Sequence, residues 1–400
     1  MKILIITPRI PYPPFRGDKL KIFNLAKQLS KNNSVTILTF LRRKNQTEDI
    51  KIFKGLGIKI ITVKFSVFNS MLKVIGNLFS SLPFQAAYYS SGKMTSKLAE
   101  LKENNYDVIY YHLVRTAQYY KPEDNNRSNL NILDFTDAMS LYLKRFTEIE
   151  KNPIKCIFLK SERNRMEKYE KIAEKFHTLF ICSEVDKNHL LQNGLNTKIQ
   201  ILQNGVDIEN FKFEEIDYNR NKIIFTGNMP YYANYDAASF FTEKIFPEIL
   251  KKKPDAKFYI VGQKPARKIR NYSSDNIIVT GYVDDIRREY LTSCVNVAPM
   301  RFGAGTLNKI IESIALGVPV VATSLAVQGL PKEINDCIFI ADDEAGFAEK
   351  VVSILDNPDK AREKVKEGRS LIKNMLSWEK IVRDFEDYLK NEVHRLKATL

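Results

Sequence analysis

The side chains best suited to chemistry are concentrated in residues 299–323, which read PMRFGAGTLNKIIESIALGVPVVAT. Residues 294–299 form a short apolar run that predicts a buried strand, and residues 308–316 have the apolar spacing of a helix. Four small residues lie between them: Gly303, Ala304, Gly305 and Thr306. Glycines let a backbone approach a ligand closely, and the N–H groups at a helix N-terminus attract anions. The stretch therefore predicts a strand, loop and helix that bind phosphate.

Charged side chains flank this loop. Arg301 and Lys309 are predicted to neutralise further negative charge on a ligand. Glu312 lies one helical turn beyond Asn308, where a carboxylate would accept hydrogen bonds from a sugar diol rather than bind phosphate. A purely structural strand-to-helix turn remains the alternative, because a few glycines before a helix are a weak motif.

The order G-x-G-T-x-x-K-I-x-E-x-x-A-x-G-x-P-V-V-A-T resembles the donor-binding signature of family 4 glycosyltransferases. The resemblance implies an α/β protein of the GT-B fold, in which two Rossmann-like, doubly wound domains face each other across a cleft. It also implies that the amides of Gly305, Thr306 and Leu307 hold a nucleotide diphosphate and that Glu312 binds the ribose. Many members carry another glutamate eight residues earlier, where this chain has Ala304, so the identity of the sugar stays open.

The first half of the chain alternates apolar strand patterns with amphipathic helix patterns, as doubly wound domains do. Gly17 precedes the first helix, where the family often places a glycine near the donor; a plain turn glycine is the alternative. His112 ends the strand pattern YDVIYYH, and open α/β sheets bind ligands at strand ends. His112 is therefore predicted to hydrogen-bond the sugar or to move a proton, with a structural histidine as the alternative.

Asp137 follows the next strand pattern, NILDFTD. It is predicted to orient an acceptor hydroxyl, although capping the following helix would suit it equally well. The predicted catalytic set is thus His112, Arg301, Lys309 and Asp137.

The segment Asn204-Gly205-Val206-Asp207 resembles the interdomain signature of the family. Residues 1–215 are predicted to form the acceptor-side domain and residues 216–376 the donor domain. Residues 377–400 are expected to form a helix that crosses back to the first domain. Asn204 is predicted to contact the donor.

Two turns of the second half are predicted to approach the donor. Gly227 and Asn228 follow one strand pattern, and Gly281 and Tyr282 follow another, near the base in the family. Where most family members have an arginine and a lysine, this chain reads TGNMPYYANYDA. This pattern resembles a bacterial subgroup associated with exopolysaccharide and exosortase gene clusters, and it implies that Arg301 and Lys309 carry more of the phosphate charge.

Residues 68–82 have a large apolar face at helical spacing. The first expectation is that this face packs on its own domain. The alternative is that it lies on lipid, which the nearby basic residues 42–44 would favour.

Composition narrows the function classes. The chain has 400 residues, a net charge of +15 and 44% hydrophobic residues, with no apolar run long enough for a transmembrane helix. Four scattered cysteines suit reduced thiols in the cytoplasm, and the four histidines do not cluster, so no metal site is predicted. The positive charge suits an anionic membrane or phosphate-bearing substrates, because no nucleic-acid-binding motif is present.

The sequence thus predicts a retaining glycosyltransferase that acts without metal or cofactor. It would move a hexose from a nucleotide diphosphate sugar, with UDP or GDP left open, to a glycan or polyprenyl-linked acceptor in bacterial cell-surface polysaccharide synthesis. The expected location is the cytoplasm, or the inner face of the cytoplasmic membrane. The alternatives are a non-catalytic nucleotide-sugar-binding subunit, a sugar epimerase of the same fold and, with the least support, a nucleic-acid-binding protein.

Overall fold

The structure, a computed structural model, describes residues 1–43, 46–121, 129–303 and 305–398. Lys44 and Ala304, which entered the sequence interpretation, lie outside these ranges. The chain divides into two compact units. Unit 1 comprises Met1–Gln203 and the residues from Ile381 onward, and unit 2 comprises Asn204–Lys380.

Unit 1 contains a seven-stranded parallel sheet with the strand order β3-β2-β1-β4-β5-β6-β7. Its central strands are continuous apolar runs because helices cover both faces of such a sheet. The strands are β1 (Lys2–Thr7), β2 (Ser34–Leu41), β3 (Lys59–Lys64), β4 (Val108–His112), β5 (Leu130–Thr136), β6 (Thr178–Ile181) and β7 (Ile199–Ile201). The helices are α1 (Gly17–Leu29), α2 (Gln46–Gly55), α3 (Val67–Gly76), α4 (Phe84–Tyr88), α5 (Gly92–Lys102), α6 (Met139–Ile149), α7 (Pro153–Glu170) and α8 (Glu184–Gln192), with 3₁₀ turns at Val114–Tyr119 and Lys171–Lys175.

Unit 2 contains a six-stranded parallel sheet with the order β10-β9-β8-β11-β12-β13. Its strands are β8 (Asn219–Thr226), β9 (Lys257–Val261), β10 (Ile277–Gly281), β11 (Ser293–Ala298), β12 (Val320–Ala322) and β13 (Phe339–Ile340). Its helices are α9 (Tyr232–Phe240), continued by a π-helical turn at Phe241–Ile245, α10 (Phe246–Lys252), α11 (Arg267–Arg270), α12 (Ile286–Leu291), α13 (Asn308–Ala315), α14 (Ser324–Val327), α15 (Lys332–Asn335), α16 (Glu344–Asp356) and α17 (Pro358–Leu376).

The last helix, α18 (Trp378–Ala398), belongs to unit 1 from Ile381 onward. Glu386 accepts hydrogen bonds from the side chains of Asn32 and Asn33 at 3.3 and 3.2 Å, and the Phe385 ring lies 5.1 Å from that of Phe180. The prediction that the terminal helix returns to the first domain is confirmed.

The predicted boundary at residue 215 needs correction, because unit 2 already begins at Asn204. The Val206 N–H donates to the Leu376 carbonyl at 2.8 Å, and Phe211 packs against the apolar core of unit 2. Residues 204–215 therefore belong to the second unit. The second boundary lies at Lys380 rather than at residue 376.

Each sheet reverses its strand order at one place, between β1 and β4 in unit 1 and between β8 and β11 in unit 2. Because all strands are parallel, their carboxyl ends share one edge of the sheet, and open α/β sheets bind ligands where the order reverses. The fold therefore puts the loop after β11, which the sequence singles out, at the favoured place in unit 2.

The expectation that residues 68–82 pack on their own domain is wrong for most of the apolar face. Phe68, Ile75 and Phe79 are 72%, 59% and 101% exposed. The polar residues Ser70 and Asn77 are buried instead. Arg165 of α7 donates to the Asn77 carbonyl at 3.3 Å and Lys73 donates to the Ser90 carbonyl at 2.7 Å, so polar contacts hold the helix to its unit while its apolar face reaches solvent.

Among the described residues, no helix combines the length and the apolar character needed to cross a bilayer.

Gly262 is expected to be essential to the strand edge of unit 2. Its φ of 153° lies in the region that favours glycine, and a Cβ there would lie 1.8 Å from the Gly227 carbonyl oxygen. Gly262→Ala should therefore lower the free energy of unfolding by about 3 kcal/mol or more in urea denaturation. Gly92→Ala is the control, because a Cβ at that helical position meets no atom within 4 Å and should change stability by less than about 1 kcal/mol.

Candidate functional site

The loop before α13 is built to leave the helix N-terminus open. Leu307 is the N-cap residue, and no side chain caps the first N–H groups of the helix. Gly303 and Gly305 have φ values of 148° and 78°, which glycine adopts readily. Thr306 Oγ1 donates to the Gly329 carbonyl at 3.2 Å, and a Cβ on Gly329 would lie 2.3 Å from the Gly305 oxygen. Gly329, which sequence analysis missed, thus allows the loop to pack closely.

Lys309 is buried beneath this loop. Its Nζ donates to Asn234 Oδ1 at 2.9 Å and lies 3.8 Å from the centre of the Phe225 ring. Burial lowers the pKa of Lys309 to about 7, although the charge of Glu312 opposes this shift. Lys309 therefore joins α13 to α9 and changes its charge near neutral pH.

Glu312 stands one turn further along α13 and keeps some exposure to solvent. The Tyr290 hydroxyl donates to Glu312 Oε2 at 3.5 Å, and Thr226 hydrogen-bonds the same hydroxyl. Desolvation raises the pKa of Glu312 to about 7, against the effects of Tyr290 and Lys309. A carboxyl group held in this way offers oxygens that accept hydrogen bonds from a ligand's hydroxyl groups.

Arg301 is paired with a carboxylate that the sequence did not predict, and its role in phosphate binding stays a prediction. Its Nε donates to Asp236 Oδ2 at 2.9 Å, and its Nη2 donates to the other carboxylate oxygen. Asp236 neutralises this guanidinium, whose side chain is 40% exposed. Unlike Arg301, Lys309 has no bidentate carboxylate partner among the described residues, and the N-terminus of α13 has no side-chain cap.

The two predicted turns of unit 2 belong to the same strand edge. The Gly227 N–H donates to the Val261 carbonyl at 3.0 Å, and the Gly262 N–H donates to the Gly281 carbonyl at 2.9 Å. Asn234 also donates to the Asn228 carbonyl at 3.1 Å, which ties the first turn to Lys309. Tyr282, beyond Gly281, is 54% exposed.

Asn204, also a predicted donor residue, stands at the start of unit 2. It is buried, and its side-chain oxygen has no hydrogen-bond partner within the described part of the chain. Within the described part of the chain no hydrogen bond joins its side chain to the loop before α13, so its donor role stays a prediction.

The remaining predicted residues, Gly17, His112 and Asp137, belong to unit 1. His112 is only 1% exposed; its Nε2 lies 3.1 Å from the Asp18 carbonyl and its Nδ1 lies 3.5 Å from Asp134 Oδ2. This burial favours the structural alternative, in which His112 positions its neighbours rather than contacts substrate. Gly17 is the exposed first residue of α1.

Asp134, which the sequence did not single out as a site residue, organises the buried interior beside His112. Its carboxylate oxygens lie 3.1 and 3.0 Å from Lys21 Nζ, and the Tyr110 hydroxyl donates to it. Burial opposes its ionisation, but Lys21 and His112 outweigh that effect and hold the pKa of Asp134 well below its usual range.

Asp137 lies at the end of β5 and accepts a hydrogen bond from Cys182 Sγ at 3.2 Å. Burial and the nearby charge of Asp186 raise the pKa of Asp137 to about 7. Asp137 does not cap α6, whose N-cap residue is Ala138, and its role toward an acceptor stays a prediction.

The described residues include no group of three or more His, Cys, Asp or Glu side chains arranged to hold a metal ion.

Comparison with known proteins agrees with this geometry. Residues 220–357 match the family model described as "Glycosyl transferases group 1". This segment is similar to that family. It contains the whole of the α13 site, from Gly227 to Glu312, and it confirms the resemblance deduced from residues 303–323.

The whole chain also resembles a "44.6 kDa protein in cps region" of Klebsiella pneumoniae, with 24% identity over 89% of this chain and 91% of that protein. Two solved structures show the fold. HepE of Anabaena in complex with UDP-glucose has a TM-score of 0.71 at 12% identity, over 98% of this chain and all of that chain. Sucrose-phosphate synthase of Thermosynechococcus elongatus has a TM-score of 0.73 at 13% identity, over 99% and 100%. The predicted GT-B fold is confirmed.

The pH dependence of stability should report on Glu312. Its folded pKa of about 7 exceeds the ordinary 4.5, so this group stabilises the fold fully below pH 4.5 and loses that contribution as pH rises through 7. Glu312→Gln cannot ionise, so this variant should not lose free energy of unfolding through Glu312 as pH rises. The free energy of unfolding of this variant, relative to wild type, should increase by about 1–3 kcal/mol between pH 5 and pH 8 in urea titrations. A difference that stays constant between the two pH values would contradict the assignment.

Proposed function

We propose that the chain transfers a sugar from a nucleotide diphosphate sugar to an acceptor hydroxyl. The observation that carries the proposal is the uncapped N-terminus of α13, with Lys309 and Glu312 beside it, where the strand order of unit 2 reverses. Support also comes from the group 1 glycosyltransferase match and from structural neighbours described in complex with UDP or UDP-glucose.

In this mechanism, the amides of Gly305, Thr306 and Leu307 and the helix dipole stabilise the negative charge that grows on the leaving diphosphate. A protonated Lys309 adds a further charge. Glu312 accepts hydrogen bonds from the ribose hydroxyls. Each such preorganised donor is typically worth about 3–4 kcal/mol in the transition state.

The finer proposal is a retaining, metal-independent family 4 enzyme that transfers a hexose. Its acceptor would be a glycan or a polyprenyl-linked sugar in cell-surface polysaccharide synthesis. The similarity to a protein encoded in a Klebsiella cps region supports this context. One observation favours a non-catalytic nucleotide-sugar-binding subunit instead. Arg301, which was predicted to bind phosphate, already forms an ion pair with Asp236.

Nucleotide binding to the donor site can be tested by thermal unfolding with UDP, GDP and ADP and with their sugars. One nucleotide at 100 times its dissociation constant should stabilise wild type by about 2.7 kcal/mol. Glu312→Ala should reduce this stabilisation because the ribose loses its acceptor.

Glu363→Ala, an exposed carboxylate on α17, is the matched control and should leave the shift unchanged. Absence of any shift at millimolar nucleotide would contradict the donor site. Release of the nucleotide from its sugar only when acceptor extracts are added would separate a transferase from a non-catalytic subunit.

We also propose that unit 1 binds to an anionic lipid surface. Val67, Phe68, Met71, Leu72 and Ile75 of α3 and the following Leu78 and Phe79 are about half exposed or more. The first turns of α7 add exposed Ile154, Ile157 and Phe158. These residues form what we call the apolar face.

Contacts join the two parts of this face. Arg165 of α7 donates to the carbonyls of Asn77 and Leu78, at 3.3 and 2.6 Å. The ring of Phe158 stacks on that of Phe84 at 5.4 Å. The apolar side chains of α3 and α7 therefore belong to one surface. A continuous exposed apolar surface indicates an interaction site, whereas single exposed apolar residues are common on any protein.

The charge around α3 indicates what this surface contacts. Residues 51–99 contain seven lysines and no aspartate or glutamate. Exposed apolar side chains within a region of positive charge match the headgroups and acyl chains of an anionic bilayer.

Membrane contact is testable by flotation with vesicles that contain phosphatidylglycerol. Wild type should bind, and the double variant Phe68→Ser/Phe79→Ser should bind at least about tenfold more weakly, because each buried aromatic contributes about 1.5–3 kcal/mol. Leu191→Ser, at an exposed leucine of α8, is the control and should bind like wild type. Equal binding of all three proteins would contradict the proposal.

A further inference from the structure

A group of arginines lies at the strand edge of unit 1 and was not assigned to the donor site. Arg9 follows β1, Arg42 follows β2, Arg115 follows β4, and Arg16 is the N-cap residue of α1. The three strands are neighbours in the sheet, in the order β2-β1-β4. Residues distant in sequence are thus brought to the edge where open α/β sheets bind ligands. We call Arg9, Arg42 and Arg115 the arginine cluster.

Tyr89 lies at the centre of the cluster. Its hydroxyl accepts hydrogen bonds from Arg9 Nη2 at 2.9 Å and from Arg42 Nη2 at 2.6 Å. The guanidinium carbon of Arg115 lies 5.3 Å from the centre of the Tyr89 ring. Burial would raise the pKa of Tyr89, yet the charges of Arg9, Arg115 and Arg42 outweigh it and lower that pKa. The surroundings therefore carry a strong positive potential.

The cluster is short of negative charge. Asp18 is the one described carboxylate within ion-pair distance of it, 3.4 Å from Arg9, and Asp18 also pairs with Arg16 at 3.2 Å. Arg42 and Arg115 form no ion pair with any described residue. The Nε atoms of Arg9, Arg42 and Arg115 are buried without a hydrogen-bond partner in the described ranges. Like charges this close, with unsatisfied donors, destabilise a protein unless an anion joins them.

The cluster also adjoins the apolar face. Lys73 of α3 donates to the carbonyl of Ser90, the residue that follows Tyr89, at 2.7 Å. Helix α3 also packs on α4, which ends at Tyr88. An acceptor held by lipid at α3 would therefore bring its head group to the arginines.

We infer that the arginine cluster binds a phosphate or diphosphate ester of the acceptor. Three guanidiniums with one nearby carboxylate match a multiply charged oxyanion better than a neutral sugar, because each guanidinium offers paired donors to phosphoryl oxygens. The inference rests on the proposed transferase function, since it names the acceptor of that reaction. A lipid-linked diphosphate and a free sugar phosphate share this chemistry.

The test measures binding of inorganic pyrophosphate to the full chain by calorimetry, with UDP present at saturation so that the donor site is filled. Wild type should show saturable binding. Arg115→Gln should weaken it by about ten- to a hundredfold, the usual effect of losing hydrogen bonds to a charged group. Arg42→Gln is the second variant and should act in the same direction. Arg43→Gln is the control. Arg43 is exposed and next to Arg42 in sequence, and the side chain of Arg43 forms no hydrogen bond or ion pair within the described residues.

A purely structural role is separable from binding. Arg115 makes no side-chain hydrogen bond in the described structure, so ligand-free Arg115→Gln should unfold at the same temperature as wild type or higher. A marked fall in that temperature would overturn the inference, as would pyrophosphate binding that Arg43→Gln weakens as much as Arg115→Gln does.

The two proposals fail in different ways. If UDP does not bind but pyrophosphate binding still depends on Arg115, the donor proposal fails and the oxyanion site stands. If Arg115→Gln weakens UDP and leaves no separate pyrophosphate site, the cluster serves the donor and the inference is overturned. Geranyl diphosphate in place of pyrophosphate identifies the source: tighter binding that depends on Arg115 indicates a lipid-linked ester, and equal binding indicates a soluble one.

Discussion

The buried ammonium group of Lys309 is the interaction on which the candidate donor site depends. A lysine in this position requires a polar partner, and Asn234 supplies it at 2.9 Å across from α9. The same asparagine holds the Asn228 carbonyl, so one side chain fixes both the α13 helix and the turn after β8. Glu312 then stands one turn from Lys309, where its carboxyl group lies between the Tyr290 hydroxyl and solvent. The groups proposed to bind the diphosphate and the ribose are thus held in place around one buried contact.

Unit 1 satisfies a comparable constraint with Asp134. This fully buried carboxylate is compensated by Lys21 and by the Tyr110 hydroxyl. Because Lys21 belongs to α1 and Tyr110 to β4, the compensated charge fixes the first helix against the central strands. The start of that helix carries Asp18, which lies 3.4 Å from Arg9, so the buried pair helps to position the ion pair of Arg9.

Much of the architecture was accessible from the sequence. The limits of β11, Ser293–Ala298, agree within one residue with the apolar run at residues 294–299, because buried parallel strands show their pattern locally. The helix of residues 308–316 and its glycine loop were equally clear. The role predicted for Arg301 was less secure, since its partner Asp236 lies 65 positions away. The prediction that the apolar face of α3 packs on its own unit was wrong, because an amphipathic pattern does not show which side of a helix is buried.

The sequence by itself determined the two sheets, the open helix N-terminus and the residues Lys309 and Glu312. These features follow from short-range rules of strand and helix periodicity and from backbone freedom at glycine. Tertiary structure alone decided that Asp236 neutralises Arg301, that His112 is enclosed, and that the arginines after β1, β2 and β4 surround Tyr89. Those outcomes depend on strand order, which brings distant segments together, and on the electrostatic balance among groups that no local pattern connects.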